Sequence, residues 1–189
     1  MKNNLFDIFF RSIMATIMIG IGCLIYINQP NPFGALFFAV GLLGVFFLHL
    51  NLFTGLIGYI NKNNWLMILL VLLFNLLAAF IFLCVPTVNF DFAIKLSNPW
   101  YFILFKSFIS GILIYLSVNQ YKEGRPWVAL IGVPAFILSG AEHCIADMIY
   151  LVLTRTFTLE AFGFILLVIL GNSIGSLVAA AINRNKVEK

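Results

Sequence analysis

The sequence predicts an all-α integral membrane protein of six transmembrane helices, the second and fifth broken, arranged as an inverted 3+3 repeat. Three observations carry that prediction. Of 189 residues, 62% are hydrophobic and only 10% charged, where a soluble domain carries about 25% charged residues. Apolar runs recur six times between short turns. Two of these runs, Pro32 to about Asn61 and Pro126 to about Leu153, hold roughly thirty residues each, whereas about 20 cross the hydrocarbon core.

The first span, 8–28, exceeds the 7–15-residue apolar region of a cleaved signal, and no small-x-small site precedes the next span. It is read as a retained span. After the turn Asn28-Gln29-Pro30-Asn31-Pro32 comes the second, 33–61, with His49-Leu50-Asn51-Leu52-Phe53-Thr54-Gly55 at its centre. Asn61-Lys62-Asn63-Asn64 leads into the third, 65–85. The longest polar interval, Pro86 to Pro99, has fourteen residues and excludes a soluble domain. The fourth span is 100–120, followed by Glu123-Gly124-Arg125-Pro126. The fifth, 127–153, carries Ser139-Gly140-Ala141-Glu142-His143-Cys144-Ile145-Ala146-Asp147, and Arg155-Thr156 separates it from the sixth, 160–183. Hydrogen-bonding groups and glycines at bilayer depth mark broken helices lining a polar path, the pattern of transporters and channels.

Six spans place both termini on one side. That side holds Lys2, Arg11, Lys62, Lys122, Arg125, Arg184, Lys186 and Lys189, and the other only Lys95 and Arg155. The bias predicts cytoplasmic termini. The net charge of +4 is scattered over ends and turns, so no nucleic-acid partner is expected. Cys23, Cys84 and Cys144 lie far apart in apolar stretches without metal-ligand spacing. They read as small buried hydrophobes, and no metal or cofactor is called for.

The halves, roughly 1–90 and 96–189 of a single membrane domain, resemble each other. Phe10-Arg11-Ser12 matches Phe105-Lys106-Ser107, and the third-span run ending at Asn75 matches the sixth-span run ending at Asn172. Three spans per half is an odd number, so the second copy is inverted, with binding expected where the repeats meet. Gly20, Gly41, Gly44, Gly111, Gly171 and Gly175 permit close helix approach.

Five ionisable residues fall at bilayer depth: His49, Lys106, Glu142, His143 and Asp147. Each costs at least ~2.5 kcal/mol there unless it pairs or lines water. His143 and Asp147, spaced i,i+4, are expected to share a helix face, and Lys106 to balance Glu142 or Asp147. His49 is read as bonded to loop backbone or near the cytoplasmic vestibule.

At these residues the chain resembles the formate/nitrite transporter family of small-anion channels. The family has an acidic residue followed by Leu-Phe-Thr-Gly or Leu-Phe-Thr-Ser in the second span; here Asn51-Leu52-Phe53-Thr54-Gly55 stands there. Its fifth-span Gly-x-Glu-His-x-x-Ala-Asn is matched by Gly140-Ala141-Glu142-His143-Cys144-Ile145-Ala146-Asp147, and its sixth-span Gly-Asn-x-x-Gly by Gly171-Asn172-Ser173-Ile174-Gly175. Lys106 stands five residues before Gly111-Ile112-Leu113, as in the family's fourth span. The chain departs at Asn51, at Tyr115 and Asp147 where Asn is usual, and at Phe74 where Gly is usual. The first three are expected in or near the polar centre.

The resemblance implies an aquaporin-like protomer in a homopentamer of a bacterial-type inner membrane, each protomer with its own pore and in contact with the lipid bilayer. It implies transport of small monovalent weak-acid anions (formate, nitrite, hydrosulfide or similar), with protons, and no enzymatic activity. The pore centre would be His143 and Thr54, with Lys106, Glu142, Asp147 and Asn172 as a polar network. Leu42, Leu52 and Phe53 would form the cytoplasmic-side constriction, and Phe38, Phe136 and Val118 the periplasmic-side one. Lys106 and the positive ends of half-helices starting near Gly55 and Gly140 would attract the anion. His143 would either protonate it or donate only a hydrogen bond. Two rival readings are a neutral-solute channel of aquaporin type, which lacks its Asn-Pro-Ala triplets here, and an intramembrane serine hydrolase built on Ser139 with His49 or His143.

Overall fold

The computed structural model describes residues 4–187; Lys2 and Lys189, counted above for orientation, lie outside the described residues, as does the Lys186 side chain. Helix α1 (Leu5–Asn28) starts at Asn4, whose side chain accepts the Phe6 N–H. Helix α2 (Pro32–Phe47) starts at Asn31, which accepts the N–H groups of Phe33 and Gly34 at 3.0 and 3.1 Å. Asparagine is a favoured N-cap, and proline suits the first helical position. A single turn, α3 (Phe53–Leu56), runs into 3₁₀ backbone at Ile57–Tyr59. Helix α4 (Trp65–Ala78) continues as 3₁₀ through Ala79–Cys84, and the short α5 (Ala93–Leu96) interrupts the long loop. Then come α6 (Trp100–Lys122), α7 (Trp127–Leu138), α8 (Cys144–Thr154) and α9 (Leu159–Val187).

Among the described residues, four segments are long and apolar enough to cross a bilayer alone: Leu5–Asn28, Trp65–Cys84, Trp100–Lys122 and Leu159–Arg184. The second and fifth crossings are each split, α2 with α3 and α7 with α8. At both splits the chain bends through one left-handed residue, His49 (φ 50°) and Gly140 (φ 65°). It then runs extended through Leu52 and His143 before turning helical again.

One asparagine holds each break. The Asn75 amide donates to the carbonyls of Ser12 (2.8 Å) and Asn51 (3.1 Å), and its oxygen accepts the Phe53 N–H at 2.9 Å. The Asn172 amide donates to Ser107 (2.9 Å) and Glu142 (2.8 Å), and its oxygen accepts the Cys144 N–H at 2.9 Å. Both asparagines are fully buried. Broken backbone at bilayer depth must find partners within the protein, and the same three bonds supply them in each half.

Packing repeats in the same way. Helix α1 lies against α2 and α4, α6 against α7 and α9, and α2 meets α7 at the centre. At the α6–α9 crossing a Cβ on Gly175 would strike the Phe108 carbonyl, and one on Gly111 the Asn172 carbonyl. Only glycine allows that approach. Helix α8 is buried along its length from Cys144 to Leu153, the carboxylate of Asp147 included. The outer surface exposes Phe33, Phe37, Leu69, Trp100 and Leu166. Of the cysteines, Cys23 and Cys144 are buried as expected; Cys84, at the end of its 3₁₀ segment, is exposed.

Candidate functional site

Thr54 lies in the first turn after one break and His143 at the end of the other. Their side chains meet: Thr54 Oγ1 and His143 Nε2 are 2.8 Å apart, and both residues are buried. His143 is not within a helix. It is the N-cap of α8, and its Nδ1 accepts the Ala146 N–H at 3.2 Å. That bond assigns the tautomer. A nitrogen that accepts a backbone N–H carries no proton, so the ring proton sits on Nε2 and is donated to Thr54 Oγ1. The threonine hydroxyl hydrogen is then free to be donated elsewhere.

Cavities flank this pair. The larger, about 650 Å³, opens on the face bearing the termini and is lined by Val45, His49, Asn51, Leu52, Val118 and Lys122 among others. The second, about 230 Å³, lies toward the opposite face against Lys95, Lys106, Glu142, His143 and Asp147. Between them Phe38, Leu42, Ile114, Val133, Phe136 and His143 border about 10 Å³, roughly the room of one water molecule. The Phe38 and Phe136 rings meet edge to face at 6.1 Å.

Several expectations need correction. Val118, expected beside Phe38 and Phe136, lies with Leu52 on the larger cavity, because it is near the C-terminal end of α6, one turn before Lys122. Leu42, expected with Leu52 and Phe53, shares the central gap with Phe38, one turn before it on the same face of α2. Phe53 is buried, and its N–H bonds Asn75. Tyr115 sits away from the centre in a small cluster with Ala179 and Ala180, its ring tilted against that of Tyr59.

The Asp147 N–H bonds the His143 carbonyl at 2.8 Å, but the two side chains do not pair, because the His143 ring turns toward Thr54 and the Asp147 carboxylate toward Lys95. The half-helices start at Phe53 and Cys144 rather than near Gly55 and Gly140. Their first amides are already taken: Phe53 by Asn75, Cys144 by Asn172, Ala146 by His143. A buried helix end must satisfy its donors internally, so these three are not free to draw in an anion.

Lys106 approaches Glu142 Oε1 at 3.9 Å and lies over the Phe102 ring. It does not balance Asp147. Lys95 does, donating to Asp147 Oδ1 at 2.8 Å and to Glu142 Oε2. Burial draws the Lys95 ammonium down, but the Asp147 and Glu142 carboxylates more than offset it and hold it charged above the ordinary lysine range. Lys95 reads in the sequence as a loop charge. The signal that finds it is arithmetic: two carboxylates at depth faced one lysine, and a second cation was owed.

His49 is exposed; its carbonyl accepts from Arg11 at 3.0 Å. Ser139 Oγ donates to the Phe136 carbonyl at 2.9 Å. The break separates Ser139 from the His143 ring, whose Nε2 is engaged by Thr54, so no nucleophile–base pair forms there.

No protein-family model matches the chain, and no curated protein is similar to it in sequence. Solved structures are. An FNT family ion channel superposes with a TM-score of 0.83 at 21% identity, over 98% of this chain and 91% of its own. A pentameric formate channel with formate bound superposes with a TM-score of 0.80, also at 21% identity, over 99% of this chain and 98% of its own. With its two broken crossings and six membrane-crossing segments, the chain is a multi-pass membrane protein with the fold of the FNT-family channels.

Proposed function

We propose that the protein is a channel for small monovalent weak-acid anions of the size of formate, nitrite or hydrosulfide, and that the Thr54–His143 pair is its central site. The observation that carries this is the pair itself: two hydrogen-bonded, buried polar side chains, of which His143 borders both the smaller cavity and the narrow apolar gap. An ion entering that gap sheds its water, and an apolar wall returns nothing for it. The free donor of the pair is the Thr54 hydroxyl, oriented by the His143 Nε2–H that Thr54 Oγ1 accepts.

The hydrogen bonds of His143 favour donation without protonation. An imidazolium needs an acceptor at both nitrogens, and at Nδ1 the Ala146 N–H already points inward. A neutral imidazole that gives up its Nε2 proton becomes an imidazolate, and that nitrogen faces the neutral Thr54 hydroxyl rather than a cation. His143 therefore stays neutral and, by donating to Thr54, turns the threonine hydroxyl hydrogen toward the anion without trapping it. Lys106, at 3.9 Å from Glu142 and only loosely paired, is the cation that draws anions toward the smaller cavity.

The solved relative that binds formate is pentameric, and the broad apolar outer surface here suits both lipid and neighbouring protomers. We assign the protein a homopentamer in a cell membrane with cytoplasmic termini. Native mass spectrometry of the detergent-purified protein reads the stoichiometry, and a monomer would contradict it. Proteoliposome flux of formate, nitrite and hydrosulfide beside water permeability tests the transport reading. Anion flux above empty vesicles is expected; water flux alone would move the protein to the neutral-solute channels.

A further inference from the structure

We infer that Lys95 sets the charge of the smaller cavity and, resting on the anion-channel reading, is a selectivity-determining residue of the pore. Four charged side chains meet there, from four parts of the chain: Lys95 from the loop helix α5, Lys106 from α6, Glu142 from the second break and Asp147 from α8. The carboxylates are nearly inaccessible, with side chains 3% and 2% exposed. The Lys95 ammonium bridges both, at 2.8 Å from Asp147 Oδ1, and Asp147 Oδ2 has no partner among the described residues. His143 adds no charge in the tautomer its hydrogen bonds assign.

Two cations and two carboxylates sum to zero. Without Lys95 the wall that this cavity shares with His143 carries one excess negative charge, and an anion meets repulsion where the apolar gap already disfavours it. With Lys95 seated on the carboxylates, Lys106 keeps its looser, longer contact and its field still reaches the cavity. The bridging lysine thus hides two acidic groups from the permeating anion. Arg155, the other cation assigned to that face, is spent on backbone carbonyls of Leu83 and Val85 and cannot substitute.

Charge and scaffold make opposite predictions for single variants. Lys95→Met leaves the cavity at minus one, and Asp147→Asn leaves it at plus one. The concentration of anion giving half-maximal flux is expected to rise roughly tenfold or more in Lys95→Met and to fall in Asp147→Asn. It should return toward wild type in the Lys95→Met/Asp147→Asn double variant and in Lys95→Arg. A merely structural bridge would impair both single variants alike, and that result would overturn the proposal, as would an unchanged Lys95→Met. The melting temperature of the purified protein reads the pairing without reference to transport. Lys95→Met should lower it by roughly 5–10 °C and the double variant should regain most of that. A double variant no more stable than Lys95→Met overturns the bridge. If wild-type protein carries no anion, the channel reading and the selectivity role fall together, and the melting cycle alone decides whether Lys95 neutralises Asp147.

Discussion

His143 has two ring nitrogens with two different tasks. Nδ1 receives the first turn of α8 and so fixes the proton on Nε2, facing Thr54. The sequence places a histidine four residues before Asp147 and invites an i,i+4 pair; the cap geometry removes it. That cap depends on a helix start set by Asn172 on another element, which no local pattern reveals. His49 shows the converse. Its left-handed backbone (φ 50°) sits where the other half uses Gly140. A side chain there costs about 1 kcal/mol, partly offset because glycine loses more freedom on folding. His49→Gly is therefore expected to leave thermal stability unchanged or raise it by up to about 1 kcal/mol. A clear loss would mean that the imidazole makes a contact the fold needs.

At the scale of elements, the two breaks are the structure's central device, and each hangs on one asparagine. Substituting Asn75 or Asn172 by alanine strands one N–H and one carbonyl of each break, Phe53 with Asn51 and Cys144 with Glu142, while the Ser12 and Ser107 carbonyls keep the bonds of their own helices. Each should cost roughly 2–4 kcal/mol, read as similar drops in melting temperature. A neutral result for one of them would contradict the equivalence of the halves. These elements were largely legible in advance. Overlong apolar runs with polar centres announce a break, and Ser12 with Ser107 and Asn75 with Asn172 announce where the halves correspond. The assignment of Leu42 and Val118 to opposite constrictions was not legible. Apolar residues on neighbouring helical turns look alike in sequence, and only the direction and depth of α2 and α6 decide which cavity each one faces.

For the whole molecule, composition alone settles that the chain lives in a membrane, and the ordered motifs point to the fold that superposition with FNT-family channels displays. What the motifs leave open is charge. A carboxylate at Asp147 reads as a threat to anion passage, and it is answered by Lys95, about fifty positions earlier and outside the spans. Tertiary placement, not spacing, makes that pair. Under the proposed function this is a path of two cavities joined by a gap about one water wide, with neutral donors rather than a titrating group at its centre. Formate flux into proteoliposomes, with wild type and His143→Ala side by side at about pH 5.5 and about pH 7.5, addresses this most directly. A donor to an ion in a dry site contributes about 1.5–3 kcal/mol, so flux should fall roughly tenfold or more at both pH values. Wild-type levels of flux through His143→Ala at both would contradict the account.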